Sequence, residues 1–231
     1  MLDKALEALK TYDWGQDAKV LKPIEDAINA SHGDEAERAK IEEQLTAALD
    51  SDISYDAKQM CCRYLRTAGT AASVPTLAKY LADEKLSHMA RYALERIPAP
   101  EAAAALRDSF SKVSGALKLG VISSLGVRQE DDNVDTLAKS LGHRAPAFSK
   151  AGAHALGGTR TQAAAKDLDG KAAGEAQAAV ADAKLACAES ILAVGNNKEA
   201  LAIYKGLVGA DLPKHVKLAA TRGVLACAKS N

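Results

Sequence analysis

The sequence predicts an all-α protein, a right-handed α-solenoid (α-α superhelix) of about seven stacked helical hairpins. Residues 74–81 read VPTLAKYL and residues 134–141 read VDTLAKSL, nearly the same octapeptide 60 positions apart. Apolar landmarks recur along with it: Leu65, Leu94, Leu125, Leu156, Leu192 and Leu225 are spaced by 29, 31, 31, 36 and 33 residues. A separate series, Leu77, Leu106, Leu137, Leu168 and Ile203, is spaced by 29, 31, 31 and 35. Two series that lengthen and shorten together mark a helical hairpin repeated along the chain, with the octapeptide returning after two repeats. Composition agrees, because hydrophobic residues make up 48% of the chain and aromatic ones only 4%. The apolar content is therefore mostly Ala, Leu and Val, with Ala and Leu losing little side-chain entropy in a helix. No run of alternating β-branched residues reads as a strand.

Taken in order, LDKALEALK, AKVLKPIEDAINA, EAERAKIEEQLTAAL and SYDAKQMCCRYLR read as four helices, separated by the turn stretches YDWGQD, SHGD and DSDIS. The first is charged around a single Leu stripe at Asp3, Lys4, Glu7 and Lys10, as a polar N-terminal cap should be. Trp14 reads as an aromatic filling the hinge between the first two helices. In the next repeat Val74, Leu77, Ala78 and Leu81 fall on one face of a first helix, and Leu86, Met89, Ala90, Ala93, Leu94 and Ile97 on one face of a second. Neither face can be buried by its own helix, so the two pair. PEAAAALRDSFSKVSGALKLGVISSLG keeps this spacing with different letters. Pro98 and Pro100 close one second helix and open the next first helix, while Gly126, Gly157, Gly158 and Gly195 read as helix ends. Seven pairs, about fourteen helices, fill the chain as a single domain over residues 1–231. Residues 1–70 hold the divergent N-terminal pairs, 71–174 the most regular repeats and 175–231 the C-terminal ones.

VPTLAKYLADEKLSHMARYALERIPAPEA resembles the short HEAT repeat, the roughly 30-residue type also found in phycobilisome lyases. The likeness rests on Val74, Pro75, Leu77, Leu81, Asp83, Ala93, Leu94, Ile97 and Pro100 to Ala102. From Asp182 onward the chain is similar to a tetratricopeptide unit, with Ala188, Gly195, Ala200 and Tyr204 at its spacings and Lys184 where that family places Trp. ALKLGVISSLGVRQ and IYKGLVGADLPKHVKLAATRGVL look similar to HEAT regions of large bacterial multidomain proteins, some joined to sugar-processing or haem modules. That resemblance implies a free-standing or excised binding domain.

Several chemistries are disfavoured. Lys plus Arg and Asp plus Glu are equal at 30 each, so the chain lacks the positive excess that phosphate contacts require, and nucleic acid is not expected as a partner. No apolar run approaches the roughly 18 residues of a membrane helix, and MLDKALEALK lacks the apolar core of a signal peptide. The expectation is a soluble protein, cytoplasmic or, if a leader has been removed, periplasmic. Cys61, Cys62, Cys187 and Cys227 show no C-x-x-C spacing and read as buried small hydrophobes. The di-iron hydroxylases of HEAT architecture use repeated His-Glu pairs, whereas His32, His88, His143, His154 and His215 are each followed by another residue type. EDDNVD (130–135) has Thr136 and Gly142 where a calcium loop needs Gly and Glu, and DLDG (167–170) is followed by Lys171 at a ligand position. No catalytic, cofactor or metal residue is expected.

The expected function is a non-catalytic scaffold that binds a protein, or another domain of its parent chain, on an inner wall of second helices. The rival is an accessory or substrate-holding domain of a bacterial enzyme system, sugar-processing or bilin-lyase-like. Counting from each landmark Leu, the wall comprises Cys62, Arg63 and Arg66; Arg91, Tyr92 and Glu95; Ile122, Ser123 and Gly126; Ala153, His154 and Gly157; Glu189, Ser190 and Ala193; and Arg222, Gly223 and Ala226. Arg63, Arg66, Arg91, Tyr92, Glu95, His154, Glu189 and Arg222 are its candidate contact residues, basic at one end and shallow in the centre. Val216, Leu218, Val224 and Leu225 give the last helix an apolar face expected to be covered by self-association, by a partner chain or by further sequence of a longer parent.

Overall fold

The computed structural model describes residues 1–169 and 174–229. Among these residues there are fourteen α-helices and no strand: α1 (Leu2–Lys10), α2 (Lys22–Ala30), α3 (Glu35–Asp50), α4 (Tyr55–Ala68), α5 (Val74–Lys79), α6 (Ser87–Leu94), α7 (Pro100–Phe110), α8 (Gly115–Arg128), α9 (Val134–Ala138), α10 (Pro146–Thr159), α11 (Gln162–Asp167), α12 (Gln177–Ala193), α13 (Asn197–Gly209) and α14 (Lys214–Lys229). The chain forms two compact units, Met1–Val121 and Ile122–Asn231, and the division falls inside α8. In the first unit α1 pairs with α2, α3 with α4 and α5 with α6. Each first helix also stacks on the next first helix, α1 on α3, α3 on α5 and α5 on α7, while α2 meets α4 and α4 meets α6. The second unit repeats the ladder, with α9 on α11 among the first helices, and α10 on α12 and α12 on α14 among the second. That is solenoid packing within each unit, where hairpins bury their apolar faces against their neighbours in sequence.

Local chemistry sets the helix starts. Asp34 accepts from the Glu37 N–H at 3.0 Å ahead of α3, and Ser54 Oγ accepts from the Ala57 N–H at 3.0 Å ahead of α4. Pro23, Pro75, Pro100 and Pro146 each stand in the first turn of a helix, where a missing N–H costs nothing. The two copies of the octapeptide build the same device. Val74 and Val134 follow a turn of 3-10 helix, Leu77 and Leu137 are fully buried, and Leu81 and Leu141 close the segment. The Leu81 carbonyl accepts from Ser87 Oγ at 2.9 Å and the Leu141 carbonyl from Ser149 Oγ at 2.6 Å, so a buried serine of the second helix pins each copy.

Leu65, Leu94, Leu125 and Leu156 are fully buried, as are Leu77, Leu106, Leu137 and Leu168. The register slips at the C-terminal end. Ile191, Tyr204 and Cys227 face the core, whereas Leu192 and Ile203 are half-buried and Leu225 is 59% exposed. Here the core is built from Val180, Ala181, Ala183, Cys187 and Ala188, so the largest apolar residue no longer marks the buried side. The glycines also need correction. Gly126, Gly157 and Gly158 lie within α8 and α10, which run on to left-handed Gln129 (φ 52) and Arg160 (φ 57); Gly195 (φ 87) does follow a helix end as expected. Trp14 is 87% exposed, and Tyr12 fills the space after α1 instead, its carbonyl taking the Ser54 hydroxyl.

All four cysteines are free and buried. Burial pushes the Cys61 and Cys62 thiols up to about 12 and Cys187 to about 11, from an ordinary value of 9.0. The fold holds the neutral thiol, so this contribution to stability is complete below pH 9.0 and is lost as pH rises toward those values. A melting temperature that falls as pH climbs above about 9 is the expected result, together with thiols that react with a disulfide reagent only after denaturant is added. Rapid labelling of the native chain would show that these seams are open.

Candidate functional site

In the first unit the second helices α4 and α6 meet through a cation–ring contact. Arg66, in the last turn of α4, lays its guanidinium over the Tyr92 ring of α6, 4.5 Å from the centroid. This is the separation at which a cation is held by the negative face of an aromatic ring. Next to Tyr92, Arg91 Nη1 donates to the Gly120 carbonyl at 3.0 Å. Its guanidinium lies close over Gly120, where an added Cβ would come within 2.4 Å of Arg91 Cζ and push the side chain aside. Burial lowers the Arg91 pKa, and Glu95 one turn along opposes that shift. Arg63 is exposed beside this cluster, with no hydrogen bond or ion pair among the described residues. Arg66 and Tyr92 thus join α4 to α6, which pack together, and Arg91 joins α6 to α8.

In the second unit, His154 on α10, Glu189 on α12 and Arg222 on α14 are exposed. Of the other positions in the expected wall, Ser123 and Ala193 are exposed and Ser190 and Ala226 half-buried, but the rest do not reach the surface. Cys62, Ile122, Gly126, Ala153, Gly157 and Gly223 are buried. A Cβ on Gly126 would stand 2.8 Å from Ala155 Cα, one on Gly157 2.7 Å from Ala183 Cα, and one on Gly223 2.4 Å from the Tyr204 ring. These residues let neighbouring helices touch, and are not available to a partner. Leu218 and Leu225 are exposed on α14 at 53% and 59%, while Val216 is buried and Val224 half-buried.

One surface was not anticipated from the sequence. A groove of about 870 Å³ runs along α3, between the Ser31–Gly33 turn and the Thr70–Ala72 turn. Its wall is set by Glu42, 3% exposed, whose carboxylate accepts from the Thr70 N–H at 2.6 Å, the Thr70 hydroxyl at 2.8 Å and the Ser73 N–H at 3.1 Å. Arg38, one turn earlier, reaches the Thr67 and Ala68 carbonyls. At the far end Lys79 donates to Asp50 and holds its carboxyl below the usual carboxylate range. The acidic run EAERAKIEE carried a signal only in its spacing, since Glu35, Ala39 and Glu43 share a face of α3.

All five histidines are exposed, and among the described residues no group of three His, Cys, Asp or Glu is placed to hold a metal ion. The EDDNVD stretch forms a turn whose Asn133 is buried and donates to the Leu125 carbonyl at 3.1 Å. In DLDG and its neighbour, Gly170 and Lys171 lie outside the described residues. Among the described residues no helix is long and apolar enough to cross a membrane.

No family model matches the chain, and no curated protein matches it. Among solved structures, human deoxyhypusine hydroxylase in complex with glycerol is similar to it at 14% identity and a TM-score of 0.37, over 99% of this chain and 96% of that one. The crystal structure of an engineered protein is similar at 15% identity and a TM-score of 0.40, over 100% and 97% of the two chains.

Proposed function

We propose that this chain is a non-catalytic, HEAT-type helical-repeat scaffold that binds a protein partner, or another domain of a larger parent chain, along the second helices of its N-terminal half. The observation that supports this most is the Arg66–Tyr92 stack, with Arg91 fixed on Gly120 next to it and Arg63 exposed beside it. Arg and Tyr are the residue types that most often carry interface energy. Side chains already held in one conformation lose less freedom when a partner arrives, so a pre-ordered cluster binds more tightly than a mobile one of the same composition.

The structure also selects the variants for a test. Arg91 packs against a backbone, so its removal would disturb α6 and α8 together, whereas Arg63, Arg66 and Tyr92 can be cut back to Ala with the core intact. The triple variant Arg63→Ala, Arg66→Ala, Tyr92→Ala is expected to keep the helical circular dichroism of the parent and to lose proteins that the parent retains from a native lysate. Retention of the same proteins by both chains would move the binding site off this wall.

A further inference from the structure

We infer that the groove along α3 is a second docking site, independent of the wall of second helices, and that it takes a basic amphipathic helix of a protein partner. α3 has 16 residues and α5, the next first helix, has 6. The two run side by side in the same direction, because Glu42 bonds to Thr70 and Ser73 while Asp50 bonds to Thr76 and Lys79. The α5 segment therefore flanks α3 from Glu42 to Asp50 and leaves residues 35–41, about 10 Å at 1.5 Å per residue, without α5 beside them. The groove runs along α3 from Glu35 to Asp50, and its floor holds the small residues Ala39 and Ala47. A helix of another protein laid along this face would pack against those two alanines.

Charge identifies that helix. Glu35, Glu42, Glu43 and Asp50 line the groove against one guanidinium, Arg38, and an exposed His32. Asp50 is neutralised by Lys79, but Glu42 is held by neutral donors only, which satisfy its lone pairs without cancelling its charge. Glu35 and Glu43 are exposed, and among the described residues no cation is paired with either. Lysines or arginines flanking an apolar face on the incoming helix would meet Glu35 and Glu43 at the rim and the field of Glu42 behind them. An acidic helix would be repelled by the same three groups.

The test uses the whole chain and a fluorescein-labelled amphipathic peptide with an Ala face flanked by Lys, against a counterpart with Glu in place of Lys. Saturable binding of the Lys peptide alone is expected by fluorescence anisotropy. Glu35→Gln with Glu43→Gln should weaken it roughly fivefold, the sum of two partly exposed ion pairs. Ala39→Trp keeps every charge and fills the groove, and should abolish it. All these positions are exposed, so the variants should melt like the parent. Binding to the Arg63, Arg66, Tyr92 triple variant should be unchanged, which separates this site from the wall. Equal binding of both peptides, no saturable binding, or an Ala39→Trp variant that binds like the parent would overturn the inference, the last by showing a diffuse charge effect.

Discussion

Leu125→Asp is expected to remove the cooperative melting transition of the Ile122–Asn231 unit, with loss of helical circular dichroism. Leu125 is fully buried, and its carbonyl takes the side-chain amide of buried Asn133, which sets the turn before α9. Cutting a buried Leu back to Ala costs about 2–5 kcal/mol. Asp adds the cost of a carboxyl group in an apolar site with no partner, whether it ionises or takes up a proton. The sum approaches the whole stability of an ordinary domain, roughly 5–15 kcal/mol. Leu125→Met keeps volume and apolarity and should cost less than about 1.5 kcal/mol. An Asp variant that melts like the parent would place Leu125 outside the core and invalidate the register of α8.

That register was legible because large residues mark the buried stripe through most of the chain. Where α5, α6, α7, α9 and α10 are built around Leu, the landmarks in the sequence and the buried positions coincide. In α12 and α14 they separate, because Ala, Cys and Gly do the packing and Leu192 and Leu225 are left at or near the surface. Size is a poor guide in a helix whose neighbours approach closely enough to need small side chains. Glycine follows the same logic: Gly126 and Gly157, which the sequence places at helix ends, lie in the last turns of α8 and α10 and serve there as helix crossings. Contacts across repeats were legible only as shared faces. That Arg66 and Tyr92 stack, 26 positions apart, depends on how far α4 and α6 are offset along their axes, which no local spacing encodes. The groove on α3 lies between the turns at residues 31–33 and 70–72, far apart in sequence, whose proximity no local spacing encodes.

The crossing glycines lead to a second expected result. Gly157→Val should lower the denaturant midpoint of the second unit markedly, and Gly157→Ala should lower it too, whereas Gly206→Ala should raise it. Replacing glycine within a helix normally stabilises it by roughly 0.5–1 kcal/mol, because glycine loses the most backbone freedom on folding. Gly206 lies in α13 with nothing within 4 Å of where its Cβ would be, so that gain should appear undiminished. At Gly157 the added carbon would stand 2.7 Å from Ala183 Cα and 2.8 Å from Ala183 Cβ. The obstacle includes backbone and cannot rotate away, so α10 and α12 must separate along a seam that also buries Ala153, Leu156 and Cys187. Overpacking of this kind costs about 1–3 kcal/mol and exceeds the gain in propensity. Val adds two branched methyl groups to the same contact and should cost more than Ala. If Gly157→Ala instead raised the midpoint as Gly206→Ala does, α10 and α12 would not be in close contact there, and the helix-end role first read for Gly157 would be the better account of it.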